Sequence, residues 1–340
     1  MNLLDPILTR LKRLDPEAML DLRPKYPPVA IEIDRGQLTL VRVTPRRRQR
    51  PILESFSIQE SPEHAVGATI FKPNLGSLAD LTRQAGELFE RSGTKPGRVS
   101  LILPDNLAKV SIVTLPEKPA TRKALREMLR FKLRRSVPFR LEDAVISFAA
   151  LPGVGPELNV LVAVMLRSVV EQYEAAFEAA GARPGLVDLC TPSLFNLARP
   201  GIAEVVASGA DAALLNCTRN YFTLMIVRGD RVVFFRCKTY AGGEEADASG
   251  RLAVMARELT SSFSYYAEKL GGSGVGTVFL RAVSPGLDEV VPVLERIGIP
   301  TVRAIDAAEA LDTSSGQRFE PMDGQRLAPA LGAAAGRTAA

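Results

Sequence analysis

The chain has 340 residues, of which 46% are hydrophobic and 24% charged, proportions typical of soluble globular proteins. This length allows two domains of ordinary size or one large divided α/β domain. The sequence has no run approaching the roughly 18 consecutive apolar residues of a spanning helix, and its N-terminus lacks the apolar block of a secretory signal. We therefore expect a chain that neither spans a membrane nor is secreted.

The three cysteines, Cys190, Cys217 and Cys237, are widely spaced and odd in number. No histidine accompanies them, so we expect neither a disulfide framework nor a zinc site. The one histidine, His64, lies in a polar stretch that contains proline, which favours a solvated loop residue over a catalytic base. This cysteine usage is typical of a reducing compartment.

The net charge of +5 has a local origin. Residues 121–140 contain one acid, Glu127, and carry a charge of +7, so the rest of the chain is at −2. A patch of this kind favours one anionic contact surface over binding to nucleic acid. The basic residues of this segment are Arg122, Lys123, Arg126, Arg130, Lys132, Arg134, Arg135 and Arg140.

Apolar residues at helical spacing predict an amphipathic helix over residues 1–22, and the prolines from Pro24 onward end it. The folded body begins at Val29. A first unit follows, with strands over 29–34 and 37–43 joined by a turn at 34–36, a basic loop over 45–51, a strand over 52–58, a helix over 78–92 and a strand over 98–103.

A second unit has strands over 108–115, 144–150 and 158–166, the basic helix over 121–135, and a helix over 168–180. The third unit repeats the first, with strands over 212–215, 221–227 and 231–239, a helix over 249–270 and a strand over 275–280. The order of three strands, a helix and a strand thus occurs twice. This duplication predicts two similar α/β subdomains that face each other.

The duplicated unit resembles the actin, sugar-kinase and Hsp70 fold, and its motifs resemble those of the type IV pilus assembly protein M (PilM) family. The resemblance runs from about Val29 to Arg337 and rests on five motifs in the family's order. These motifs are 137–142 (Val-Pro-Phe-Arg-Leu-Glu), the stretch 161–188, the turn 228–231, the segment 241–243 (Ala-Gly-Gly) and 330–334 (Ala-Leu-Gly-Ala-Ala).

The resemblance implies an actin-like α/β fold with an inserted 1C-type subdomain. It also implies a cytoplasmic scaffold at the periphery of the inner membrane, within a pilus assembly platform. A type II secretion-like platform and an active ATP-binding member of the family are the alternatives. The implied segments are 1–28 (amphipathic), 29–106 (subdomain 1A), 107–180 (insert), 181–210 (return to 1A with a connecting helix), 211–325 (subdomain 2A/2B) and 326–340 (C-terminal helix and tail).

The family's ATP site uses two Asp-x-Gly hairpin turns, because glycine lets backbone amides approach a phosphate and the carboxylate binds metal-coordinated water. The first turn reads Glu32-Ile33-Asp34 here, and Thr39 stands where the family has a lysine. The second reads Asn216-Cys217-Thr218, and Leu280-Arg281-Ala282-Val283 stands where the family has Leu-x-Gly-Gly. The degenerate pocket positions are Glu32, Asp34, Thr39, Asn216, Thr218 and Arg281.

These changes imply a pseudo-ATPase with no catalytic residues, no metal and no cofactor, although weak ATP/Mg²⁺ binding stays open. A shifted register would keep Asp34-Arg35-Gly36 as a displaced Asp-x-Gly turn, at the cost of turning the strand's side chains to the opposite face. Glu32 and Asp34 are either a residual metal site or, as we favour, an ordinary polar hairpin turn.

The implied partner is the short cytoplasmic tail of a single-span inner-membrane pilus protein; self-association also stays open. The family's partner tail carries Asn-Leu-Leu-Pro, and residues 1–6 (Met-Asn-Leu-Leu-Asp-Pro) resemble it. They either occupy the family's docking cleft, in the same or a neighbouring copy, or form, as we favour, a disordered leader or an amphipathic helix on the surface. The basic helix is either a solvated face or a site for anionic lipid or an acidic partner, with candidate residues Arg130, Lys132, Arg134, Arg135 and Phe139.

Overall fold

The computed structural model describes residues 26–46, 49–61, 70, 72–153, 156–240, 248–307, 310–313 and 320–336. The predicted helix over 1–22, the segment 1–6, His64 and the glycines of 241–243 lie outside the described residues. Within these ranges, no helix is long and apolar enough to cross a membrane.

Three strands come first along the described chain, and helices separated by one or more strands follow them. The strands are β1 (Val29–Asp34), β2 (Gln37–Thr44), β3 (Ile52–Glu60), β4 (Arg98–Leu103), β5 (Lys109–Leu115), β6 (Ala144–Leu151), β7 (Leu158–Leu166), β8 (Arg183–Leu189), β9 (Asp211–Cys217), β10 (Tyr221–Arg228), β11 (Arg231–Thr239), β12 (Val275–Ala282), β13 (Val302–Ala304) and β14 (Asp312–Thr313). The helices are α1 (Leu78–Ser92), α2 (Arg122–Leu133), α3 (Arg167–Ala179), α4 (Cys190–Ala207), α5 (Ala248–Leu270), α6 (Leu287–Arg296) and α7 (Pro321–Ala335).

Two large sheets share one strand order. The first runs β14-β3-β2-β1-β4-β8 and the second β11-β10-β9-β12-β13. In each sheet the first strand of the unit pairs antiparallel with the second and parallel with the fourth. The predicted duplication is therefore confirmed. Strand β13, which pairs with β12 at the edge of the second sheet, and helix α6, which packs on that sheet, were not predicted.

The sheets and helices form five layers. Helices α1 and α3 pack on the outer face of the first sheet, and α5 and α6 on the outer face of the second. Helices α4 and α7 lie between the sheets: α7 packs mainly on the first, and α4 packs on the second. The two helices also contact each other closely.

The insert is a separate small unit with its own core. Strands β5, β7 and β6 form a three-stranded antiparallel sheet, on which α2 packs Leu125, Leu129 and Leu133. Helix α3 does not belong to it, because its buried residues Tyr173 and Phe177 join the core of the first sheet. The strands and helix of this unit lie within residues 109–166, inside the predicted segment 107–180.

Alternation along β1 determines what faces the space between the sheets. Ile31 and Ile33 point to the outer core with α1 and α3, whereas Ala30 packs on the other side with α7. Because successive side chains of a strand point to opposite faces, Glu32 and Asp34 share the face of Ala30. Both carboxylates are thereby directed toward the second sheet.

Candidate functional site

A buried ion pair joins the two sheets. Arg281 of β12 is 1% exposed and Glu32 of β1 is 2% exposed. Nη2 of Arg281 lies 2.9 Å from Oε1 of Glu32 and donates to Oε2 at 3.2 Å. Because one partner comes from each sheet, this pair ties together the two halves of the molecule at their facing surfaces.

The rest of the guanidinium is also engaged by the protein. Its Nη1 donates to Oδ1 of Asn216 at 3.1 Å, and its Nε donates to the carbonyl of Gln325 at 2.9 Å. The Gln325 side chain in turn accepts from the backbone N–H of Ala282 at 3.0 Å and donates to the carbonyl of Ile305 at 2.7 Å. All three guanidinium nitrogens of Arg281 therefore donate hydrogen bonds to groups of the chain itself.

A second buried carboxylate, Asp105, extends this network. It follows β4 and accepts from the backbone N–H of Thr191 at 2.9 Å and from the hydroxyl of Thr223 at 2.8 Å. Thr191 is in the first turn of α4, where unpaired N–H groups and the helix dipole favour an anion. A carboxylate of the chain thus occupies this helix N-terminus.

The electrostatics of the network follow from its burial. Burial raises the pKa of Glu32 to about 7, and the guanidinium of Arg281 opposes that rise. Burial likewise raises the pKa of Asp34, again opposed by Arg281, and the pKa of Asp105, opposed by its hydrogen bonds to Thr191. The network thus contains three carboxyl groups, those of Glu32, Asp34 and Asp105, and one guanidinium, that of Arg281.

The remaining pocket positions close the hairpins. Thr39 pairs with Glu32 across β1 and β2, and its hydroxyl accepts from Nε2 of Gln37 at 2.8 Å. Asp34 accepts from the N–H of Arg35 at 2.8 Å, and Gly36 has φ +87°, so residues 34–36 form the turn itself. In the other hairpin, the hydroxyl of Thr218 donates to the carbonyl of Tyr221 at 3.2 Å.

These residues do not fit a magnesium nucleotide. Glu32 already pairs with the guanidinium of Arg281, and the nearby carboxyl groups would repel phosphate. Asp34 and Thr218 stand where the resemblance places the two glycines that admit a phosphate. Within the described parts of the chain, no group of three or more His, Cys, Asp or Glu side chains is placed to hold a metal ion.

Sequence reasoning missed several members of this network. Asp105 and Thr191 follow the ends of β4 and β8, and the carboxyl ends of parallel strands meet at one sheet edge, so their position was a usable signal. Cys190 also contacts Glu32, with its Sγ 3.4 Å from Oε1, but was read only as a sign of compartment. Nothing in the sequence points to Gln325 or Thr223.

The basic residues of α2 and of the turn that follows it lie elsewhere, on the insert. Lys132 donates from Nζ to the carbonyl of Thr114 at 3.1 Å; Arg134 and Arg135 are exposed, and Arg130 is partly buried. Phe139 packs against the core of the insert. The exposed aromatic residue is instead Phe131, at 81% exposure, which sequence reasoning did not select.

Comparison with known proteins places the fold. No protein-family model matches the chain, and no curated protein matches it by sequence. A chain of the solved PilM-PilN type IV pilus biogenesis complex is 20% identical, with a TM-score of 0.75 over 92% of this chain and 98% of that chain. The chain has the actin-like fold of that PilM structure.

More distant structures have lower TM-scores. The cytoplasmic domain of EpsL, an inner-membrane component of the type II secretion system of Vibrio cholerae, is 11% identical, with a TM-score of 0.46 over 88% of this chain and 94% of that one. A Bacteroides thetaiotaomicron protein with an actin-like ATPase fold is 9% identical, with a TM-score of 0.43 over 84% and 91%.

Proposed function

We propose that this chain is a scaffold of the inner-membrane assembly platform of a type IV pilus. In this role it lies on the cytoplasmic face of the membrane and docks the cytoplasmic tail of a membrane partner. The observation that carries the proposal is the fold match to PilM from the PilM-PilN complex along nearly all of both chains. The five sequence motifs, which occur in the family's order, support the same assignment.

We propose further that the scaffold neither hydrolyses ATP nor depends on it. The support comes from the ion pair between Arg281 and Glu32. A phosphate that recruited the guanidinium would leave the Glu32 carboxylate buried without its partner, and breaking a buried pair in this way costs about 3–5 kcal/mol. The added charge of the phosphates beside Asp34 and Asp105 makes binding still less favourable.

The partner tail is proposed to bind as an extended segment in the cleft between the first sheet and the insert. The insert's sheet has two outer strands, β5 and β6, and each has one strand neighbour within that sheet. An outer strand accepts an extended peptide through main-chain hydrogen bonds, while pockets for alternate side chains give specificity. The leucines of an Asn-Leu-Leu-Pro tail would fill such pockets.

The test is a calorimetric titration of the full chain with a synthetic tail peptide that carries Asn-Leu-Leu-Pro, with a scrambled peptide as the control. We expect saturable binding of the first peptide alone. A chain that lacks residues 1–21 should bind it more tightly if the leader competes for the cleft, since a bound competitor lowers the fraction of open clefts. Equal affinities would mean that the leader does not occupy the cleft, and no binding by either chain would overturn the platform assignment.

A further inference from the structure

Helix α2 exposes one large aromatic side chain on the face that points away from its core. Phe131 is two residues from both Leu129 and Leu133, which are buried in the insert, and residues at that spacing do not share a helix face. It is 81% exposed. Phe131 therefore contributes little to the packing of the insert.

Exposed cations lie before and after Phe131 along α2 and the turn that follows it. Arg134 and Arg135 follow Phe131 by three and four residues, in the turn that ends α2, and Lys123 lies eight residues, or about two turns, earlier on the helix. All three side chains are exposed. In the described part of the chain these three residues make no ion pair, whereas Arg140 of the same segment pairs with Asp143 at 3.0 Å. The single acid, Glu127, also lies on this face and is likewise unpaired there.

We propose that this face of α2 docks on an anionic lipid bilayer, with Phe131 inserted at the level of the headgroups. A helix that presents a basic face with an exposed aromatic side chain is suited to lie in the interface of an anionic membrane. The face presents one exposed apolar side chain between exposed cations, and this arrangement matches a broad anionic surface. The inference goes beyond the scaffold proposal and does not depend on the buried network of Arg281.

The direct test uses tryptophan as a local reporter, since the chain contains none. In the Phe131→Trp variant of the full chain, vesicles of phosphatidylglycerol should shift the tryptophan emission to the blue, and brominated lipid should quench it. Leu78→Trp places the reporter at another exposed apolar position, 47% exposed on α1, and should show neither change. The reporter is specific to its position, so binding through the predicted helix of residues 1–22 cannot mimic the result.

Charge variants test the electrostatic part. Replacing Lys123, Arg134 and Arg135 by Gln should weaken partition into these vesicles about 100-fold at low salt, and less at high salt. The matched control replaces three exposed cations elsewhere, Arg91, Lys95 and Lys269, and should have a much smaller effect. No emission shift at position 131, or equal losses in both triple variants, would overturn the proposal. If an acidic peptide alone produced the shift, the partner would be a protein, and the bilayer proposal would be wrong.

Discussion

Arg281 is a fully buried cation whose partners come from both sheets and from α7. We expect Arg281→Met to lower the free energy of unfolding by about 3–5 kcal/mol above pH 7, where Glu32 is ionised, because it leaves the Glu32 carboxylate buried without a partner. Chemical denaturation measures this loss.

The double variant Glu32→Leu, Arg281→Met serves as the control. Replacing both members of a buried pair with apolar residues is often close to neutral, so the double variant should be more stable than Arg281→Met alone. If the losses of Glu32→Leu and Arg281→Met simply add in the double variant, the pair has no coupling energy and does not hold the two sheets together.

The same carboxyl group predicts how stability depends on pH. Burial raises the pKa of Glu32 from its ordinary value of 4.5 to about 7. The folded chain therefore keeps this proton over a range in which the unfolded chain has released it, so the free energy of unfolding falls as pH rises from about 5 to about 7. Asp34 and Asp105, whose pKa values burial also raises, act in the same direction.

Glu32→Gln removes this titration. Denaturation curves collected across that pH window should give a shallower dependence for Glu32→Gln than for the original chain. Parallel dependences would mean that Glu32 does not hold its proton as its burial implies.

At the scale of the elements, the crossing of α7 and α4 requires a glycine. A Cβ at Gly332 would lie 2.0 Å from the backbone oxygen of Ser193, whereas one at Gly324 of the same helix would meet nothing within 4 Å. Gly332→Ala should therefore destabilise the fold by about 2–3 kcal/mol, as overpacking does. Gly324→Ala should range from neutral to a gain of about 1 kcal/mol, from helix propensity alone.

Thermal or chemical denaturation of the two alanine variants compares them directly. Similar stabilities would show that the helices separate easily, contrary to the close backbone contact at Ser193.

Most elements were predictable because local patterns determine them. The glycine after α1 predicts where that helix ends, and the alternation of side chains in β1 predicts a strand. The repeated order of elements predicts the two sheets. The packing of α3 on the first sheet was not predictable, because its apolar stripe shows that a face is buried but not against which sheet. The site was only partly predictable: resemblance selected Glu32, Asn216 and Arg281, but their mutual pairing depends on the approach of two sheets that are distant in sequence.

At the scale of the molecule, the duplicated sheets enclose a polar junction whose charges are met by the chain itself. Glu32 of the first sheet and Asn216 of the second both bind Arg281, and Asp105 bonds to Thr191 of α4 and Thr223 of β10. The family resemblance implies that phosphates lie at this junction in the members that bind a nucleotide. Here the chain's own groups stabilise it, so we expect the relation between the halves not to depend on a nucleotide.

Calorimetric titration of the full chain with Mg-ATP tests this most directly. The buried pair between Arg281 and Glu32 predicts no saturable binding in the micromolar range. A low-micromolar dissociation constant, lost on changing Asp34 or Asn216 to Ala, would show that the junction opens to admit a nucleotide and would contradict the account.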